Sequence, residues 1–281
     1  MSNKTDFNYL FNSPLGKNSE YSDQYNPELL FAIPRQAKRE EIGISSAALP
    51  FKGFDIWNAF ELSWLNAKGK PIVAILRLHY PCDSPNIVES KSLKLYLNAF
   101  HQTRFSSWEN VYQHLQQDLS ASIGTQVSIH LHPLNQLAQM TIQAFEGICL
   151  DDLDIHCDNY TVNSAYLSAE PDTLIEEIIY SDLLKSNCPI TGQPDWASIQ
   201  IHYRGAKMNH QGLLKYIISF RQHQDFHEQC IERIFVDIMR YCKPDKLSVY
   251  GRYTRRGGID INPIRSTDTI KLPLNSRLAR Q

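Results

Sequence analysis

From Asp55 onward the hydrophobic positions follow two periods. DIWNAFELSWL (Asp55–Leu65) and IVAILRLHY (Ile72–Tyr80) alternate as strands do, with every second side chain on one face. Leu93, Tyr96, Leu97 and Phe100 fall at i, i+3, i+4 and i+7, one face of a helix, which Ser90 or Ser92 could cap. A second helix is predicted over Ser107–Ala121 with Ser107 as its N-cap, and Thr125–His132 and Met140–Ile148 read as strands. The order is strand, strand, helix, helix, strand, strand. It recurs further on. Strands are predicted at Leu174–Leu184 and Trp196–Tyr203, helices at Leu213–Gln222 and Glu228–Tyr241, and strands at Leu247–Tyr253 and Ile259–Ile264.

Individual residues carry the repeat too. His79-Tyr80 matches His202-Tyr203 at an offset of 123, as do Gly69 with Gly192 and Pro71 with Pro194. Leu93, Tyr96, Phe100 and Gln102 match Leu213, Tyr216, Phe220 and Gln222 at an offset of 120. The change of offset falls in a loop, where insertions are tolerated. The period is too long for a solenoid. The expected organisation is an irregular N-terminal extension over residues 1–50, a first α+β module over 51–150, a linker over 151–172 and a second module over 173–281.

Composition narrows the function classes. The 281 residues are 42% hydrophobic and 21% charged, a globular balance. The net charge of −2 argues against a nucleic-acid coat, which needs excess cations. The longest aliphatic run, Ile72–Leu76, is far too short to span a membrane. The opening MSNKTDFNYLF has no signal-peptide character, so a cytoplasmic location is expected. The six cysteines are scattered without a CxxC pair, which disfavours a disulfide scaffold or a structural zinc site. No GxGxxG or GxxxxGK[ST] string is present. His130 and His132 share a strand face without an evident third ligand, and Cys149, His156 and Cys157 are a weaker cluster, so no metal is expected.

Three strings carry possible chemistry. NCPITGQPDWA (Asn187–Ala197) sets Cys188 in a Pro/Gly loop between strands, where a thiol can stay accessible, and Asp195 follows where the next strand begins. A thiolate attacking an electrophilic carbon beside an acid that protonates the heteroatom suits this pair; a packed core thiol is the plainer alternative. In DFHEQC (Asp225–Cys230), His227 and Glu228 sit at a helix start, either as a solvated dipole cap or as a carboxylate that accepts from a purine-like N–H edge. In VESKSLKLY (Val88–Tyr96), Glu89 and Lys91 are surface charges on the simplest reading. The repeat shifts the balance. Cys188 maps on Leu65, Asp195 on Ile72 and His227-Glu228 on Ser106-Ser107, whereas Glu89 maps on Asn209 and Lys91 on Gln211. Each half keeps what the other lacks, which predicts one composite site between halves, within a chain or across two. From residue 252 onward seven cations face two carboxylates, a local +5, and YTRRGG (Tyr253–Gly258) suits a phosphate or, equally, a solvated basic hairpin.

Together CPITGQPD, VESKSLKLY and DFHE resemble the NADPH-dependent nitrile reductases of queuosine biosynthesis, the 7-cyano-7-deazaguanine reductases, in their long two-module form. The openings SPLGKNSEYSDQYNPELLFAIPR (Ser13–Arg35) and GFDIWNAFELSWL (Gly53–Leu65) are similar as well. Ala32, where proline is expected, departs from the pattern outside the site strings.

The resemblance implies two tandem tunnelling-fold modules, each a ββααββ unit with an antiparallel sheet, and a homodimer. It implies reduction of 7-cyano-7-deazaguanine to 7-aminomethyl-7-deazaguanine with two NADPH, through a Cys188 thioimide, a thiohemiaminal and an imine. Asp195 would be the proton donor, with a pKa raised by desolvation beside the thiolate. His227 would sit near the reacting carbon and Glu228 would hold the guanine-like edge. Val88, Glu89 and Ser90 would complete the substrate pocket, and Ser90, Lys91, Arg256 and Gly257 would contact NADPH. The competing readings are a relative that hydrates or aminates the nitrile, and a purine- or pterin-binding module without turnover. No direct nucleic-acid or membrane partner is expected.

Overall fold

The computed structural model describes residues 21–45, 47–136, 142–273 and 276–281. Its centre is an eight-stranded sheet. The strands and helices, in chain order, are β1 Ala32–Pro34, α1 Gln36–Glu41, β2 Lys52–Leu65, β3 Pro71–Pro81, β4 Asn86–Val88, α2 Ser90–Asn98, α3 Trp108–Ile123, β5 Ser128–His132, β6 Ile142–Gln143, β7 Ile148–Cys149, β8 Ala169–Asn187, β9 Pro194–Met208, α4 His210–Ser219, α5 His227–Tyr241, β10 Lys246–Tyr253, β11 Ile259–Ser266 and β12 Arg277–Leu278. In space the large sheet runs β5-β3-β2-β11-β10-β9-β8-β7. The mixed α+β class and the strand–strand–helix–helix order agree with the periodicity.

Each half lays its helices on the same kind of surface. In the first half Val111, Leu115, Leu119 and Ile123 of α3 pack with Trp57, Trp64, Leu76 and Leu78 of the strands. In the second, Cys230, Ile234 and Ile238 of α5 and Cys242 at its C-cap pack with Ile199, Ile201, Leu247 and Val249. These helix stripes recur every four residues and differ by 119 in number, so His227 corresponds to Trp108 and Glu228 to Glu109. That corrects the mapping on Ser106-Ser107. The first half does carry a glutamate at the Glu228 position, but Glu109 is exposed. Equivalence in sequence has not preserved equivalence in burial.

The halves join edge to edge. β2 pairs antiparallel with β11 from Lys52↔Ser266 to Ala59↔Ile259. Gly53 makes this seam possible. Its φ is +146°, and a Cβ there would stand 2.0 Å from the Ile264 carbonyl oxygen, so the backbones meet only because the position has no side chain.

Two expectations need revision. The strand expected over Met140–Ile148 lies partly outside the described residues. What is described is two short pieces: β6 pairs with β12, and β7 runs parallel to β8 at the far edge of the sheet. Gly147 separates them at φ +115°, packed against the Ile178 carbonyl, and continuous pleating stops there. The N-terminal extension is less irregular than its composition suggests. β1 pairs with β4, and α1 buries Arg39 against the second half. The expected linker overlaps the start of β8 at Ala169. No helix among the described residues is long and apolar enough to cross a membrane.

Candidate active site

Strand register alone puts Cys188 and Asp195 on one face. Ser186 lies opposite Asp195, and Asn187 opposite Pro194. Cys188 is two residues beyond Ser186, hence on the same side of the pleat and diagonal to Asp195. The connection is closed by two backbone bonds, Cys188 N–H to Gln193 O at 2.9 Å and Gly192 N–H to Cys188 O at 3.0 Å. Cys188 is only 3% exposed, against the expectation of an accessible loop thiol. It belongs to none of the apolar clusters among the described residues, unlike Cys82, Cys230 and Cys242. Its surroundings are charged: Lys94 feels both Cys188 and Asp195. All six cysteines are free thiols.

Asp195 is buried and ion-paired. Its Oδ1 lies 3.0 Å from Arg256 Nη1 and 3.5 Å from His227 Nε2. Burial alone would raise its pKa. The His227 hydrogen bond and the charges of His227, Arg256 and Lys94 outweigh burial and hold the carboxyl below the usual aspartate range. The raised pKa expected from desolvation beside a thiolate is therefore corrected. The sequence did not reveal that two cations would be aimed at this carboxylate.

His227 opens α5, and its ring lies 3.9 Å from that of Tyr253 at the end of β10. Glu228 follows, 2% exposed. Its Oε1 has no hydrogen-bond partner among the described residues. Burial, and next the charge of Asp55, push its pKa up to about 8, against the pull of Arg35 and Arg265. This is not a solvated dipole cap.

The first half contributes α2 and its approach. Val88 ends β4 and is buried. Glu89, not a serine, caps α2: its carboxylate accepts from the Lys91 N–H at 2.7 Å and the Ser92 N–H at 2.8 Å. It is fully buried, not the surface charge its neighbours suggest, and burial raises its pKa despite those bonds. Asn209 caps α4 at the equivalent place, so the repeat preserved the role and changed the charge. Ser90 and Lys91 begin α2 and are half-buried.

The two halves meet at this place within one chain. Ile190 of the cysteine loop and Phe226 before His227 pack with Ile33 of the N-terminal segment and Ile87 of the first half. Lys94 of α2 reaches the β10–β11 hairpin, where a Cβ on Gly257 would be 3.0 Å from its Cε. Lys94 is the residue that sequence reasoning passed over. Its one clue was spacing, since it follows Lys91 by three and so shares its helix face. Beside it a cavity of about 170 Å3 opens between Lys94, Leu97, Asn98, Gly257 and Gly258. Arg255 stacks over Phe60, 3.5 Å from the ring centre, and flanks the same hairpin.

His130 and His132 do not converge on a common point. Their rings stack at 6.2 Å, and His79 stacks on His130 at 6.1 Å. Among the described residues no group of three or more His, Cys, Asp or Glu side chains is placed to hold a metal ion.

Comparison with known proteins finds two family profiles along the chain. One, described as "Nitrile reductase, 7-cyano-7-deazaguanine-reductase N-term", matches residues 21–131; another, described as "QueF-like protein", matches residues 194–271. A protein of Legionella pneumophila (strain Lens) named NADPH-dependent 7-cyano-7-deazaguanine reductase is 57% identical over 96% of this chain and 95% of its own length. One of the same name from Paraburkholderia xenovorans (strain LB400) is 56% identical over 96% and 98%. A crystal structure of the archaeosine synthase QueF-Like in the apo form aligns with 35% of this chain and 96% of its own, at 18% identity and a TM-score of 0.30.

Proposed function

The chain belongs to the family of NADPH-dependent 7-cyano-7-deazaguanine reductases, and on that premise we propose that it reduces the nitrile of 7-cyano-7-deazaguanine to the primary amine through a covalent bond to Cys188. The observation that carries the mechanism is the placement of Cys188, Asp195, His227 and Glu228 on adjoining elements, with an ionised Asp195 beside the thiol.

In this reading Asp195 acts first as base. It takes the proton from Cys188, and the sulfur adds to the nitrile carbon. The electron pair of the broken π bond goes to nitrogen, which takes the same proton back from Asp195. The product is a neutral thioimide with no net redox change. Lowering the Asp195 pKa suits the first half of this exchange, and burial keeps water away from the second. His227 holds Asp195 in place. Glu228, with its free Oε1, accepts from the N–H edge of the heterocycle, and Val88, Glu89 and Ser90 bound the pocket from the other half.

The residues at the hairpin fit a phosphate-bearing cofactor. Gly257 and Gly258 adopt φ of +56° and +72°, and Lys94, Arg255 and Arg256 supply cations beside them. NADPH, when bound, would supply hydride, and two equivalents, each hydride matched by one proton, account for the four hydrogens that separate nitrile from amine. Ser90, Lys91, Arg256 and Gly257, with Lys94, are the residues we assign to holding it. Tunnelling-fold modules and a homodimer are further parts of this proposal.

The direct test is to mix the protein with 7-cyano-7-deazaguanine without reductant and measure intact mass. An increase equal to the nitrile's mass is expected, and no increase removes the covalent mechanism. Hydration or amination of the nitrile would instead show in product mass. For the cofactor, Arg256→Ala is expected to raise the NADPH KM about tenfold, the scale of one lost charged hydrogen bond, with nitrile binding little changed. An unchanged cofactor KM would refute the phosphate assignment.

A further inference from the structure

Glu228 does not stand alone in its pocket. One turn further along α5, on the same face, Glu232 is buried at the centre of an ion cluster. Its Oε1 lies 2.8 Å from Arg39 Nη2, 2.9 Å from Arg265 Nη2 and 3.6 Å from Arg35 Nη1. Asp55 of β2 pairs with Arg265 at 2.8 Å and also with Arg35. All five side chains are at most 3% exposed. They come from four places: the N-terminal segment, β2, α5 and β11. The cluster therefore spans the seam between the halves.

Its charge does not balance. Three guanidinium groups face two carboxylates, which leaves one cation in excess, away from water. An unbalanced buried cation is costly unless an anion joins it. Glu228 is a carboxyl within the field of this cluster, and its Oε1 has no hydrogen-bond partner among the described residues.

We propose that this buried cluster is the electrostatic counterweight for Glu228, and that Arg35 is a positioning residue for substrate recognition. Its excess cation lets Glu228 become the carboxylate that grips the N–H edge of the heterocycle. The inference rests on the substrate-anchor role assigned to Glu228 above.

The groups facing Glu228 set the signs. Asp55 from β2 opposes its ionisation, whereas Arg35 from the N-terminal segment and Arg265 from β11 favour it. The phenols of Tyr80 on β3 and Tyr253 on β10 stand within the same field, and Glu232 lies on its own helix. Arg35 sits over the Tyr80 ring, 5.8 Å from its centre. In the free protein the Glu228 pKa is raised to about 8. A ligand that needs the carboxylate therefore binds more weakly as pH falls below about 8, by up to tenfold per pH unit, and no more tightly above it.

The test measures binding of 7-cyano-7-deazaguanine against pH in a Cys188→Ala background, where no covalent bond contributes. Arg35→Met is expected to move the affinity limb to higher pH by about one unit, Asp55→Asn to move it to lower pH by a similar amount, and Arg35→Lys to leave it in place. Shifts of opposite sign within one cluster cannot come from general loosening. If the first two variants move the limb in the same direction, or weaken binding equally at every pH, the proposal is overturned. Should Arg35→Met fail to fold, the contrast between Asp55→Asn and Arg35→Lys carries the same decision. Glu228→Gln separates this inference from the one beneath it. If that variant binds with the pH dependence of its parent, the substrate-anchor role itself is wrong; if it loses the limb while the cluster variants do not move it, only the counterweight fails.

Discussion

Replacing Cys188 by alanine is expected to abolish the mass increase with nitrile and to lower reduction by a factor on the order of 10^4 to 10^6, the cost typical of removing a nucleophile. A nitrile carbon is a poor hydride acceptor, and in the proposed mechanism the sulfur converts it into a C=N group that accepts hydride readily. Without sulfur the remaining side chains can bind and orient the heterocycle but cannot change its carbon. Binding of the nitrile should persist, because Glu228 and the first-half residues proposed to bound the pocket are untouched. The five other cysteines provide an internal control. Cys82, Cys230 and Cys242 sit in the apolar core of the second half, and burial raises each of their pKa values, which disfavours the thiolate. A mass increase that persists in Cys188→Ala would exclude Cys188 as the nucleophile.

How far the sequence could lead depended on whether a property is periodic or long-range. The elements were legible because alternation and i, i+3, i+4 spacing are local: β3 was expected at Ile72–Tyr80 and is found at Pro71–Pro81. Ser107 was expected to cap α3, and its hydroxyl accepts from the Asn110 N–H. The adjacency of Cys188 and Asp195 was legible in part, because a short Pro/Gly connection between strands brings its ends together. Burial of charge was not legible. Glu89 looked like a surface charge between serines, yet it caps a helix from inside the protein. Arg35, Arg39, Asp55, Glu232 and Arg265 lie as much as 230 residues apart in the chain, and no local pattern tells that they form one cluster at the β2–β11 seam. The Asp195 pKa failed for the same reason. Its sign is decided first by His227, which arrives from the start of α5 32 positions further on, and then by Arg256, from a hairpin 61 positions further on.

Asp195→Asn is expected to bind the nitrile within a few-fold of the parent while adduct formation and turnover fall by about 10^2 to 10^4, the usual span for a lost acid–base group. Asparagine keeps the shape and can still face His227, but it can neither take the Cys188 proton nor return it to nitrogen. The pH profile separates this role from simple charge loss. Asp195 is held below the usual aspartate range, so its base form is lost only as pH falls through that depressed value. Between pH 5 and 8 it therefore contributes no limb of its own, and on the proposed anchor role the limb expected there is that of Glu228, whose pKa is raised to about 8. In Asp195→Asn the rate should drop across the whole range while the Glu228 limb keeps its position. Turnover near the parent's would remove Asp195 from the chemistry. A limb in the parent near neutrality that vanishes in Asp195→Asn would mean that the carboxyl works from a raised pKa after all, and that His227 and Arg256 do not govern it.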